Sequence, residues 1–370
     1  MIRWFRGVQA TLGRTATAIA GAAVAIGIVA FASGLGESDR PRTYAALIAS
    51  WLFFASLAAG VLAFRAFFQI VSARWARPLT ELAGAAVGFA PVALVLLFVI
   101  VIGARSAPWL HTDPGSTWMS VSVLSIRELV LTAALFGGGY LLRKRPASGA
   151  LAVIYLVAYG VIVSFWAFDF VLGTDAVWES TLIGVFVFVS AFVGGVGLVT
   201  LLGMARGGLA DGPRRDASKL VLALSIFWAY LFWAQYLTIW YGNLPDEVAF
   251  ALRRVGGGWS VVMLLVIGLV FALPFVTLLH PVGRRSRRLF GGLLVLQLVG
   301  LWLVCHLLIV PSLTPRDAAA LDLRDVLVAL GILGAFALSV ARGIAATPLL
   351  ASAPIPAPQA QLLDQPRKTS

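Results

Sequence analysis

Apolar runs of about twenty residues recur along this chain, separated by short stretches rich in Arg, Asp, Gly and Pro. A run of that length is what a helix needs to cross the roughly 30 Å hydrocarbon layer of a bilayer. The pattern predicts ten spans, at about 15–35, 44–70, 80–103, 117–142, 149–172, 178–203, 218–241, 258–280, 288–311 and 322–345. The expected architecture is an all-α integral membrane protein, with a polytopic transmembrane domain over 1–350 and a disordered cytoplasmic tail rich in Pro and Gln over 351–370. Arg3, Arg6 and Arg14 precede the first apolar run, as in a signal peptide. The run is longer than a signal core and no small-residue cleavage site follows it, so it reads as a retained first span.

The stretch FWAYLFWAQYLTIWYGNLPDE, Phe227 to Glu247, gives a depth reference. Gly242 and Pro245 are expected to stop its helix. Trp240 and Tyr241 then fall where an aromatic belt marks the membrane–water boundary. Pro91 in span three and Pro274 in span eight are expected to kink their helices. Gly194, Gly195 and Gly197 in span six allow a close helix crossing.

Composition agrees with the pattern. The chain has 370 residues, 60% hydrophobic and 12% charged, and its mean hydropathy is +0.95. A single Cys excludes an internal disulfide framework, a thiolate zinc site and a Cys-ligated iron–sulfur cluster. The net charge of +12 reads as basic loops on the cytoplasmic side rather than nucleic-acid binding. With the N-terminus inside, nineteen Lys and Arg fall in inner segments and seven in outer ones, Arg40, Arg42, Arg105, Arg253, Arg254, Arg316 and Arg324, so both termini are expected to be cytoplasmic. The acids Glu37, Asp39, Asp113, Asp175, Glu179, Asp246, Glu247, Asp317, Asp322 and Asp325 all fall outside. They read as solvated loop acids or as a face for a basic partner.

Ionisable groups within apolar spans need a partner or a task, because a charge at the bilayer centre costs about 2.5–3.5 kcal/mol or more. Arg127 and Glu128, about ten residues in from Trp118, are expected near the midplane, either in an interhelical salt bridge or on a proton or quinone path. Asp169 ends span five and shares a helical stripe with Tyr155, Tyr159, Ile162 and Trp166. That stripe suits either a groove for a quinone headgroup or ordinary bundle packing. Gln235 shares a face with Trp228 and Phe232, and His306 lies near the outer end of span nine. Both read as interhelical hydrogen bonding or as ligand contacts. Arg65 is placed to snorkel, Glu81 and His280 to sit at the inner rim, and Trp4, Trp75 and Trp109 to anchor the interface. His111, His280 and His306 give no pair suited to bis-histidine haem, apart from an improbable match of His111 with His306. No metal site or bound redox centre is therefore expected, and any electron chemistry would be completed by partner subunits.

Several of these residues together resemble a known family. Phe227-Trp228-Ala229-Tyr230, Gln235-Tyr236, Ile239-Trp240-Tyr241 and Asn243-Leu244-Pro245-Asp246-Glu247 are similar to the F-type membrane subunit of alternative complex III, a bacterial quinol:cytochrome c oxidoreductase. The run from Asp169 through Asp175 to Trp178-Glu179-Ser180-Thr181 and Gly184 resembles a second motif of that family, and Ile126-Arg127 a third. The likeness covers about residues 80 to 312 and is specific in spans five to seven. It implies membership of the NrfD/polysulfide-reductase-like membrane subunits, built as two four-helix bundles with flanking helices. It also implies menaquinol as the redox partner, with no covalently bound cofactor. The implied partners are a C-type membrane sister, an iron–sulfur subunit and multihaem cytochrome c subunits in the bacterial inner membrane. Two departures stand out. Leu301-Trp302-Leu303-Val304 replaces a His-x-x-Asp-like run, with His306 later, and Gly173-Thr174 replaces Ser-Leu. The expected function is a quinone-binding or proton-conducting subunit with Asp169, Glu128 and Arg127 at its centre. A non-catalytic scaffold subunit and a secondary transporter are the rivals.

Overall fold

The computed structural model describes residues 11–36, 38–106, 117–175, 177–206 and 209–345. Arg3, Arg6, Trp4, Glu37, Trp109, His111, Asp113 and the segment from Ala351 lie outside the described residues, as does the side chain of Arg105. Among the described residues there is no strand, and ten helical segments are long and apolar enough to cross a membrane. The protein is an all-α, multi-pass membrane protein.

The helices are α1 (Arg14–Ser33), α2 (Arg40–Ile70), α3 (Arg77–Ala83), α4 (Ala90–Ser106), α5 (Val121–Lys144), α6 (Gly149–Phe170), α7 (Leu182–Ala205), α8 (Asp211–Gly242), α9 (Pro245–Val255), α10 (Trp259–Ile267), α11 (Leu273–Leu279), α12 (Pro281–Arg285), α13 (Arg287–Leu313) and α14 (Leu323–Ala345). Spans two to five form one ring of four, in which α2 packs on α4 and α6 while α5 packs on both of those. Spans six to nine form a second, in which α7 packs on α8 and α13, and α10 and α11 close the ring. The rings meet where α2 lies against α7 and α13, while α1 and α14 pair on the flank against α2 and span three. This is the expected pair of four-helix bundles with flanking helices.

The α2 helix organises the whole. Its apolar window is buried on every side, where most spans keep an outward face. The sequence explains how so many neighbours fit, because Ala recurs along it and Gly60 stands near its middle, and both let other backbones approach. The closest approach is at Gly60 and Gly195. A Cβ built on Gly60 would lie 2.0 Å from the Ala191 carbonyl oxygen, and one on Gly195 would lie 2.3 Å from the Gly60 carbonyl carbon. The glycines of span six therefore do set a tight crossing, through Gly195. The flanking pair uses the same device at Gly27 and Gly331, where an added Cβ would fall 2.5 Å from the facing Cα.

The two proline-containing spans are altered over more than one residue. Span three runs through the short α3 and a 3-10 stretch, Gly84–Phe89, before α4 begins just ahead of Pro91. Span eight passes through a π-helical stretch, Gly268–Ala272, just before Pro274. Proline has no N–H for the carbonyl four residues earlier, here Val270. Gln297 on α13 supplies the donor instead, its Nε2 reaching the Val270 oxygen at 3.2 Å and Ser225 Oγ at 2.8 Å. Gln297 is buried, and it was not singled out from the sequence.

Two expectations about helix ends change. Helix α8 stops at Gly242, with Asn243 left-handed at φ 45°, but Pro245 opens a further helix rather than a loop. Arg65 does not snorkel outward. It is buried, and its Nη1 donates to the Thr80 carbonyl at 2.6 Å, because span three folds back over the end of α2.

Three substitutions test this packing. Gly195→Ala should destabilise the detergent-solubilised protein by about 1–3 kcal/mol, as overpacking does. Gly137→Ala, where a Cβ meets nothing within 4 Å, should leave the melting temperature unchanged or raise it. Gln297→Leu should cost about 1–3 kcal/mol in the same melt by stranding the Val270 carbonyl.

Candidate functional site

The helix connections fall at two ends. Arg74, Arg77, Arg143, Arg214 and Arg285 lie at the basic end. Asp39, Asp175, Glu179, Glu247 and Asp325 lie at the acidic end. Of the ionisable candidates that the structure describes, Arg127, Glu128, Asp169 and His306 lie toward the acidic end, whereas Arg65 and Tyr155 lie toward the basic one.

The centre of the site is an ion pair between α5 and α6. Ser120 caps α5, its Oγ accepting from Val123 N, so the helix begins at Val121. Arg127 therefore lies roughly 9 Å along the axis, well short of the midpoint of this 24-residue helix. This corrects the midplane position expected from the sequence, which counted helix from Trp118 onward. Arg127 Nε and Nη2 both donate to Asp169 Oδ2, at 2.9 and 2.7 Å. Its Nη1 donates to the Trp118 carbonyl at 3.1 Å, and the guanidinium lies 4.0 Å from the centre of the Trp118 ring. Glu128 is wholly buried, 3.7 Å from Arg127 Nε, and the charge of Asp169 bears on it. Neither of its carboxylate oxygens makes a hydrogen bond, nor does the buried Thr132 hydroxyl one turn along the same face.

The pair opens onto a crevice of about 1130 Å³ between the ends of α5, α6 and α8. Asp169, Asp175, Glu179, Ser180, Gln235 and Glu247 are among its polar lining residues. Ser180 Oγ donates to Gln235 Oε1, so Gln235 is both an interhelical tie and a crevice residue.

Tyr155, Tyr159 and Trp166 do not join Asp169 there. All three are buried in the bundle. Trp166 meets Trp51 of α2 edge-on at 5.2 Å, the Tyr159 hydroxyl donates a hydrogen bond to the Phe188 carbonyl on α7, and Tyr155 packs against Gly138 of α5. The stripe is real, but its phenols and indole face neighbouring helices because α6 is enclosed by α2, α5 and α7. Only the last turn, with Asp169, reaches the crevice.

His306 also lies elsewhere, in a second buried cluster. Its Nε2 is 2.8 Å from the Ala320 carbonyl and 3.9 Å from Asp325 Oδ2, and its ring lies beside Trp259 and Trp302. Asp325 accepts from Arg42 Nη2 at 2.6 Å and from the Asp322 N–H at 2.9 Å. The reading of Asp325 as a solvated loop acid is thereby overturned. It is fully buried because α2, α13 and α14 converge on it.

A third cluster surrounds α9. Phe250 stacks flat on Trp178, centroids 3.5 Å apart, and the Arg254 guanidinium lies 3.2 Å from the Phe250 ring centre. Arg254 donates to the carbonyls of Phe250 and Leu308 and to Ser312 Oγ, and Ser312 in turn donates to Asp175 at 3.0 Å. Burial holds the Arg254 pKa well below the ordinary guanidinium value, while Asp175 pushes it up and Arg253 down. Counting Arg254 among exposed outer-loop cations missed this. The helix itself was signalled in PDEVAFALRRV, with Pro at the start, acids in the first turn and Arg in the last, although nothing in that pattern marks Arg254 as buried.

No group of three or more His, Cys, Asp or Glu side chains suited to a metal ion occurs among the described residues. No protein-family model matches the chain, and no curated protein matches it.

The Arg127–Asp169 pair can be tested by its asymmetry. Arg127→Met strands buried carboxylates and should cost about 3–5 kcal/mol. Adding Asp169→Asn should recover part of that loss in thermal melts. A single variant that melts with the wild type would show that the pair carries no stability.

Proposed function

We propose that this chain is a membrane subunit of a bacterial quinol-oxidising respiratory complex of the alternative complex III type, and that the acidic crevice handles protons released from quinol. The observation that carries the reading is the buried Arg127–Asp169 pair, with Glu128 behind it, at the wall of a crevice. One guanidinium balances one carboxylate. The same niche holds a second carboxylate with no second cation, which makes it a place that a proton can enter and leave.

Oxidation of a quinol releases two protons and two electrons. In this reading the headgroup enters the crevice, or its continuation in a C-type sister subunit, and its hydroxyls face Asp169 and the Ser180–Gln235 pair. Asp169 takes a proton and relays it to the acidic end or inward to Glu128. The electrons pass to partner iron–sulfur and multihaem cytochrome subunits, since this chain contributes no redox centre to the reading. The bias of Lys and Arg supports an inner-membrane orientation with both termini cytoplasmic and the crevice on the periplasmic side.

A scaffold role within the same complex has its own support. Tyr155, Tyr159, Trp166 and His306 are engaged in packing and structural hydrogen bonds rather than facing the crevice. A secondary transporter has less support. Its unwound half-helices would meet at the midplane, whereas spans three and eight keep 3-10 or π hydrogen bonding through their proline regions.

The experiment is steady-state quinol:cytochrome c turnover in complexes carrying Asp169→Asn or Glu128→Gln. Loss of a positioned proton acceptor should lower the rate about 10²-fold or more with subunit composition intact. Wild-type turnover in fully assembled variants would overturn the proton-handling role. Failure of assembly without a specific rate defect would assign the chain to the scaffold.

A further inference from the structure

Behind α9 lies a second space, separate from the crevice. A cavity of about 300 Å³ lies between α7, α8, α9, α10 and α13, with Phe186, Phe232, Met263, Val266, Val304 and Leu307 in its wall. Trp178, Gln235 and Ile239 belong to both the cavity and the crevice and form the partition between them.

Two donors in this apolar wall have no acceptor. The Trp178 indole N–H and the Arg254 Nε–H are buried and make no hydrogen bond, although their residues are only 2% and 3% exposed. A buried donor without an acceptor costs about as much as a lost hydrogen bond, and an unbalanced buried charge costs more. The charge is also unbalanced. Among the described residues, the charges that bear on Arg254 are the carboxylate of Asp175 and the second guanidinium of Arg253, so two cations share one anion.

We propose that this cavity binds an anionic amphiphile. One acyl chain fills the apolar space, and the oxygens of its carboxylate or phosphate accept from the Arg254 Nε–H and the Trp178 indole N–H. A neutral hydrocarbon would leave both donors and the extra charge unanswered. A small hydrophilic anion would leave the apolar wall uncovered. The volume, at the lower end for ligand pockets, suits one chain rather than a whole diacyl lipid. Leu252 and Trp240 line the cavity, and both are largely exposed on the outer surface of the bundle, which places a side entrance toward the lipid. This inference is independent of quinol oxidation, because its readouts are binding and melting.

The test uses the full chain, purified in neutral maltoside detergent and stripped of lipid. The probes are oleate, dioleoylphosphatidylglycerol and dioleoylphosphatidylcholine, followed by native mass spectrometry and by melting temperature. One equivalent of an anionic probe should be retained and should raise the melting temperature. The zwitterionic lipid should bind about tenfold or more weakly, the size of one lost charged hydrogen bond. Retention of oleate alone assigns a free fatty acid, and retention of phosphatidylglycerol alone assigns a phospholipid headgroup. Arg254→Gln should abolish the preference for anions. Because that change also removes structural hydrogen bonds, Ala251→Phe provides a second variant. It fills the cavity, keeps every polar group, and should block binding while the protein still melts cooperatively. Equal retention of anionic and zwitterionic lipid, undiminished binding by Ala251→Phe, or displacement of oleate by a neutral naphthoquinone at equal concentration would each overturn the proposal.

Discussion

A guanidinium among apolar helices must find fixed oxygen atoms, since neither lipid nor packed side chains replace its water. In this protein many of those oxygens are carbonyls at helix ends or in loops, where the helical ladder leaves acceptors free. Arg65 uses Thr80, Arg127 uses Trp118, Arg42 uses Ala319, Arg214 uses Arg285 and Arg287 uses Met204. Arg127 clasps the lead-in to its own helix, and each of the other bonds ties one helix to a different segment. These cations, from the buried Arg65 and Arg214 to the exposed Arg287, therefore act as staples that hold the helix ends in register, and the carboxylates Asp169 and Asp325 strengthen two of them at the acidic end.

Packing in the middle of the molecule works by a different rule. There α2 is surrounded, and the contacts are glycine and alanine against backbone rather than polar atoms. Close approach at Gly60 and Gly195 leaves no room for a ligand between the bundles at that depth. Room appears toward the acidic end, where the crevice opens between the ends of α6 and α8 and the second cavity lies behind α9. The division of labour follows from the two rules, with dispersion and small residues at mid-depth and charge with open volume near one surface.

Much of this was legible in the sequence because hydrophobic length is a strong signal. The ten spans, the stop at Gly242 and the close crossing of span six all follow from residue size and run length. The directions of polar side chains were less legible. Tyr155, Tyr159, Trp166 and Asp169 share a helical face at the right spacing, yet spacing does not say whether that face meets a groove or another helix. Here α2, α5 and α7 enclose all but the last turn. Likewise nothing local to Asp325 or Arg254 marks them as buried. They are covered by segments distant in sequence, Arg42 and His306 in one case and Leu308, Ser312 and Asp175 in the other. Gln297 could have been found by pairing each intramembrane proline with a search for a donor, since Pro274 leaves the Val270 carbonyl without its usual partner.

The partition between crevice and cavity joins these themes. Trp178 forms part of it, Phe250 lies flat on Trp178, and Arg254 lies over Phe250 while reaching α13 through Leu308 and Ser312. Ser312 then returns to Asp175, which lines the crevice. The circuit is closed, so a displacement of α9 cannot be local. Moving Phe250 disturbs the Trp178 wall of the crevice, and releasing Arg254 frees Ser312 and with it one hydrogen bond to Asp175. Because Asp175 and Asp169 line the same crevice, the hydrogen bonding of α9 and the charge of the crevice belong to one electrostatic unit. An amphipathic helix of 11 residues thus has a larger structural reach than its length implies, because its aromatic and its cation each bridge to a different bundle element.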